Sequence, residues 1–232
     1  FKGSKVTLEN VRDFTWKNKK EHNYKWIKTK VDIDGIRDIW FVVDHFHKLK
    51  GLAHTMLTFE FEDGQFITFS FETRREVGER YHPWDGLWRA YELYLLVATE
   101  SDALHLRTNI RNHKVHLFRV QTPPGKDKAL FNALCDRLNN LGETPEWYHT
   151  LGKACTTSIV EQVNLITPGR IPRMWRTILP GYSAKAAWKL KLIEDWGGYD
   201  STISASRIDE RARNWDGNEE YSMYVRAHLP PK

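Results

Sequence analysis

Cysteine is nearly absent from this chain. Its 232 residues include two, Cys135 and Cys155. Two thiols cannot build a disulfide framework, so a packed core has to hold the fold. A single Cys135–Cys155 bridge remains open. No window of 18 apolar residues occurs, which excludes a membrane-spanning helix. Charge of one sign is not concentrated either. The net charge is +5 and the isoelectric point about 9.1, with Lys and Arg dispersed. The densest basic run, Lys17-Asn18-Lys19-Lys20, falls in an expected loop. That pattern reads as a solvated surface, with at most a weak preference for anionic headgroups, and no nucleic acid is expected as a partner. The chain holds no Walker loop, no GxGxxG, no HExxH and no GxSxG. His45 and His47 lack a Cys or acidic partner at a ligand spacing, so no metal is expected, and no cofactor.

Aromatic side chains are abundant: ten Trp, eleven Phe and nine Tyr, within a hydrophobic content of 41%. That is enough for one large Trp/Phe-rich core. Residues 5–14 read as an edge strand and 36–43 as a buried one. Residues 55–62 and 65–73 alternate around Asp63-Gly64, a two-residue hairpin turn whose register sets His54 opposite Thr73, beside Glu72. Residues 83–91 read as a short helix, 92–98 as a buried strand, and 104–110 with 115–120 as a second hairpin. A helix over 126–141, closed by Gly142, places Leu130, Leu134 and Leu138 on one face, with Cys135 as a small apolar filler. A further helix follows, capped by residues 156–158 and ended by Pro168-Gly169, with Ile159, Val163 and Ile166 on one face. Beyond Leu192 the chain turns polar, and residues 208–215 read as a short charged helix. The expected fold is α+β, an antiparallel sheet packed against helices. Residues 1–195 form the main domain and 196–232 a polar extension of it.

Cys155 is the residue on which chemistry can centre. It precedes an amphipathic run, where the unsatisfied N–H groups and dipole of a helix start stabilise a thiolate and can hold an oxyanion. His54, on a strand, is a candidate general base, and Glu72 a candidate group to orient the imidazole. A one-residue slip of the hairpin would exchange Glu72 for Phe71 or Thr73. His149 is an alternative base. The competing reading is an inert packed Cys and a structural His. Arg74-Arg75 and Arg107-Thr108-Asn109 read as surface salt-bridge residues rather than a phosphate site. Trp84, Trp88, Trp175 and Trp188 are candidates for an acyl groove or a bilayer surface, against core packing as the plainer role.

Six segments occur together in order: Asn10-Val11-Arg12-Asp13-Phe14, Ala53-His54-Thr55-Met56-Leu57, Phe69-Ser70-Phe71-Glu72-Thr73-Arg74, Tyr91-Glu92-Leu93, Leu106-Arg107-Thr108-Asn109 and Cys155-Thr156-Thr157. Together they resemble the Lnb N-terminal periplasmic domain family, long described as a domain of unknown function in Gram-negative envelope proteins. The resemblance covers about residues 5–195. It implies a lipoprotein N-acyltransferase that moves an acyl chain from a phospholipid, through a Cys thioester, to a lipoprotein amino group. The order of His before Cys is also similar to circularly permuted NlpC/P60 (papain-like) enzymes. Carried over, the family's His falls on His54 and its Cys on Cys155. Many relatives have Asn before the Cys, where this chain has Ala154, so any oxyanion role passes to backbone N–H groups or another side chain. The implied partners are a phospholipid or lipoprotein substrate and a membrane surface. The implied location is the periplasm, with an anchor in a segment missing from this chain, which starts at Phe1 without Met. Alternatives are a cysteine peptidase or amidase on cell-wall peptides, a phospholipase-like hydrolase, and a non-catalytic envelope binding domain.

Overall fold

The computed structural model describes residues 3–74, 91–149, 152–172 and 179–232. The expected helix over 83–91, together with Arg75, Trp84, Trp88 and Trp175, lies outside the described residues apart from Tyr91. The strands are β1 (Lys5–Arg12), β2 (Thr15–Trp16), β3 (His22–Asn23), β4 (Trp26–Asp32), β5 (Ile36–His45), β6 (His54–Phe61), β7 (Phe66–Arg74), β8 (Glu92–Thr99), β9 (Lys114–Arg119) and β10 (Glu146–Trp147). The main sheet runs β4-β1-β8-β7-β6-β5-β9, with β10 added on β8; β2 and β3 form a small separate hairpin. All pairs are antiparallel except β1 with β8. The fold is therefore α+β, as the sequence implies.

The central strands are buried on both faces, which is why β5 reads as a run of Ile, Trp, Phe and Val rather than an alternation. Ile39, Phe41 and Val43 point to one core with Leu57, Phe59 and Phe69. Two helices cover that core, α2 (Lys126–Glu143) and α3 (Cys155–Ile166). Phe131 of α2 is fully buried and meets the rings of Phe59, Phe61 and Phe69 edge-on, at centroid distances of 5.1 to 5.8 Å. Trp40, Val42 and Met56 face the other way.

The second face departs from the sequence reading. The tail beyond Leu192 is polar in composition, yet it buries Ile208, Tyr221 and Val225 against Trp40, Met56 and Leu117. Arg226 donates to Glu100 at 2.7 Å and lies over the rings of Trp40 and Phe66, so a charged residue joins the tail to the sheet. Its few apolar residues are spread over short helices, which lowers the average hydropathy of a segment that is nonetheless packed.

Three expectations are corrected. β1 is not an edge strand, because β4 pairs outside it; β4 exposes Lys28 and Lys30, charges suited to an unpaired edge. Residues 104–110 are helical, not a strand: α1 (Glu100–His105) runs into a π turn, Leu106–Ile110. Arg107 Nη1 and Thr108 Oγ1 donate to the carbonyls of Ala103 and Leu104, four residues back, and these bonds hold the helical turn. The turn at Asp63-Gly64 is one residue longer than a two-residue hairpin. Phe61 N–H donates to the Gln65 carbonyl, Gly64 N–H to that of Phe61, and Gly64 adopts φ +83°. That left-handed residue closes a three-residue loop, and pairing shifts to Leu57 with Phe69 and Glu60 with Phe66.

Phe131→Ala removes the ring at the centre of the aromatic cluster. It is expected to lower the unfolding free energy by about 3–5 kcal/mol, read as a fall in the urea midpoint with an unchanged slope.

Candidate active site

The altered register decides the site. Carried three residues past Leu57–Phe69, it faces His54 with Glu72 and puts both side chains, with Ser70, on one side of the strands. His54 Nε2 lies 2.7 Å from Ser70 Oγ and 3.2 Å from Glu72 Oε1. Ser70 Oγ donates to Glu72 Oε1 at 2.8 Å. Because the Ser70 hydroxyl proton is already given to the carboxylate, His54 Nε2–H is the donor here, and Nδ1 is left for another partner.

Cys155 opens α3 after an extended Ala154. Ala154 has no side chain to cap the helix. Its own N–H donates back to Thr157 Oγ1 at 2.8 Å, so the capping hydroxyl sits inside the first turn. The first helical donor is Ser158 N–H, to the Ala154 carbonyl. The amides of Cys155 and Thr156 thus have no helical acceptor, as at any helix start. Thr55, next to His54, meets Thr156 Oγ1 at 3.0 Å and joins β6 to the first turn of α3.

Electrostatics couple the three groups. Burial pushes the Cys155 thiol up, but the charge of His54 and its hydrogen bond, with those of Thr55, outweigh burial and bring the thiol down to about 7. Burial pulls His54 down, while Glu72 and then Cys155 raise it to about 10. Burial pushes Glu72 up, but His54 first, then Arg107 and Ser70, hold it well below the usual carboxylate range. Above about pH 7 the site holds a thiolate–imidazolium pair backed by a carboxylate. Cys135 behaves oppositely. It is 4% exposed on α2, and burial, reinforced by Asp136, pushes it up to about 12. Both cysteines are free thiols, so the bridge left open by the sequence is absent.

Arg107 is not the surface residue that the sequence implies. It is 4% exposed, donates to Glu72 Oε1 at 2.9 Å and pairs with Asp44 at 3.1 Å. Asp44, which is paired across the ladder with His54, also meets His113 Nδ1 at 2.9 Å. The signal for Ser70 was in the sequence, since it lies two residues from Glu72 on the same strand face. Arg107 and Asp44 carried no such signal, because their contact needs the helical fold of residues 100–110.

Cys155, His54 and Glu72 line one open cleft of about 440 Å³, together with Tyr148, Arg111 and Lys19. The other candidates go elsewhere. His149 Nδ1 accepts the Gly152 N–H and shapes the turn leading to Cys155. His47 accepts from Leu49 N–H, and His45 packs against the ring of His116. Among the described residues, no three His, Cys, Asp or Glu side chains are grouped to hold a metal ion. Arg74 pairs with Glu92 at the surface, as expected. Trp188 packs partly buried against the core and Tyr199.

Residues 22–181, more than two thirds of the chain, match the model of the Lnb N-terminal periplasmic domain. The chain belongs to this family. It is accordingly an envelope-associated, periplasmic domain, and the matched span contains His54, Glu72, Arg107 and Cys155. No helix among the described residues is long and apolar enough to cross a membrane. No curated protein and no solved structure is significantly similar to the chain.

Two outcomes are expected from thiol chemistry. Alkylation of Cys155 by iodoacetamide should rise with a midpoint near pH 7, while Cys135 stays unreactive to above pH 9. In His54→Ala the midpoint should move above about 8.5, the ordinary thiol value, since burial then acts unopposed. Peptide mapping of the alkylated protein reads both.

Proposed function

We propose that this domain is a thiol-dependent acyltransferase of the bacterial envelope, with Cys155 as nucleophile, His54 as general base and acid, and Glu72 orienting the imidazole. One observation carries the reading: a thiol lowered towards neutrality at a helix start, coupled to a carboxylate-backed imidazole, in an open cleft. A non-catalytic binding domain would call for a Cys155 with no cleft and no His beside it.

The Cys155 thiolate attacks the carbonyl carbon of a phospholipid ester, and the free amides at the start of α3 offer hydrogen bonds to the oxyanion. The ester C–O bond breaks, and His54 gives its proton to the departing alkoxide. The acyl group is then a Cys155 thioester. An amine, such as a lipoprotein N-terminus, attacks next. His54 takes the amine proton, the C–S bond breaks, and an amide and the free thiol remain. Water in place of the amine gives hydrolysis. The same constellation on a permuted NlpC/P60 architecture serves peptide substrates, so the acyl donor is the part that needs separate support. That support is a second cavity of about 190 Å³ beside the first turn of α3. It is lined by Thr156, Leu57, Ile159, Val163 and Leu130 and is overwhelmingly apolar, as an acyl chain requires and a cell-wall peptide does not.

Incubation with phospholipid vesicles should add a fatty-acyl mass to the intact protein, released by hydroxylamine. Cys155→Ser should show none. His54→Ala should form it about 10²–10⁴-fold more slowly. A wild-type protein that never gains the adduct, yet releases peptide products from cell-wall fragments, would replace the phospholipid donor with a peptide one.

Arg107→Met should slow adduct formation and raise the alkylation midpoint of Cys155, at a cost in stability because Asp44 is left buried without its cation. The carboxylate that supports the imidazolium loses its buried counter-charge, so the imidazolium stabilises the thiolate less. A pH profile of alkylation separates this from simple destabilisation.

A further inference from the structure

We infer that the rim of the Cys155 cleft is a docking surface for an anionic phospholipid bilayer. Two segments border the cleft. Residues 13–25 contribute Lys19 to its wall, and residues 46–52 contribute Phe46 and Leu52. Each carries exposed lysines beside exposed apolar side chains. In the second, Phe46-His47-Lys48-Leu49-Lys50-Gly51-Leu52, Phe46 is 39% and Leu49 63% exposed; Lys48 and Lys50 are exposed, and no acid is present. In the first, Lys17, Lys19 and Lys20 are exposed; of its two acids, Asp13 is paired with Lys25 and Glu21 stands beside the lysines, and Tyr24 follows at 76% exposure. None of these five lysines has an ion-pair partner among the described residues.

Both segments are fixed rather than loose. Asp102, buried below the first, accepts from Arg12, Phe14 N–H and Trp16 Nε1 at 2.6 to 3.1 Å. The second is pressed onto Gly181, whose N–H donates to the Gly51 carbonyl at 3.2 Å. A Cβ at Gly181 would stand 1.8 Å from the Lys50 carbonyl, so glycine is required there. A rigid rim of apolar side chains between unpaired lysines matches a membrane interface. The apolar groups enter the acyl boundary, and each lysine near an anionic surface contributes about 1 kcal/mol. An acidic protein would satisfy the lysines but leave Phe46, Leu49 and Tyr24 without a counterpart. Seated this way, the cleft opens onto the lipid, and an ester carbonyl reaches Cys155 without the lipid leaving the bilayer. This last consequence rests on the acyltransferase reading; the docking does not.

Vesicle flotation of the Cys155→Ser chain tests the surface without turnover. It should float with vesicles of phosphatidylglycerol and phosphatidylethanolamine, weakly or not at all with phosphatidylcholine alone, and less at high salt. Lys48→Glu with Lys50→Glu should lower the bound fraction roughly tenfold or more, and so should Lys17→Glu with Lys20→Glu. Leu49→Ser should lower it at unchanged charge. The same substitutions in a chain that keeps Cys155 should leave its alkylation rate unaltered, which shows an intact site. No flotation with anionic vesicles, or flotation unchanged by these substitutions, overturns the docking surface. Flotation that depends on the rim, in a protein that never forms an acyl adduct, overturns the thioester reading and leaves the docking surface standing.

Discussion

One rung between β6 and β7 holds the candidate site together. A left-handed Gly64 lengthens the turn by a residue, and the register that follows, continued past Leu57 and Phe69, faces His54 with Glu72, whose side chains meet at 3.2 Å. Side chains alternate with period two, so the shorter turn would have offered the imidazole a neighbour from the opposite face. Everything else in the site leans on that rung. Ser70 bridges the His and the carboxylate. Arg107 stabilises the carboxylate from beneath, and Asp44 holds the guanidinium in place.

The second dependency is the doubly covered sheet. β6 and α3 touch through Thr55 and Thr156, and α3 is held on the sheet by the same apolar face that makes it amphipathic. On the far side, α1 and the π turn carry Arg107 under β7, and the C-terminal helices seal that face through Tyr221 and Arg226. The charged network at the site is thus a bridge between two cores. Removing Arg107 therefore disturbs charge at Glu72 more than it disturbs packing.

The two cysteines show how environment sorts chemically identical groups. Both are almost fully buried. Cys135 has apolar neighbours and an acid beside it, which favour the thiol. Cys155 has an imidazolium, a threonine hydroxyl and a helix start, which favour the thiolate. Burial alone separates neither residue from the other; the charges within reach do.

Local pattern was enough for much of this protein. The buried strands at 36–45 and 92–99, the helices at 126–143 and 155–166, and the choice of Cys155, His54 and Glu72 as a set were legible, because apolar periodicity and helix-start chemistry are written over a few neighbouring residues. The family was legible from short segments in a fixed order. The helical state of residues 104–110 was not, since Leu104, Leu106 and Thr108 alternate as a strand would. Their helix is held by bonds one turn back and by Arg107 reaching Glu72 and Asp44, 35 and 63 positions away in the chain. The edge role of β4 and the burial of the polar tail escaped for the same reason. Sequence determined which groups are present and which elements carry them. Only tertiary structure decided the rung that pairs His54 with Glu72, the guanidinium beneath it, and the cleft onto which the thiol opens, because each depends on contacts between residues far apart in the chain.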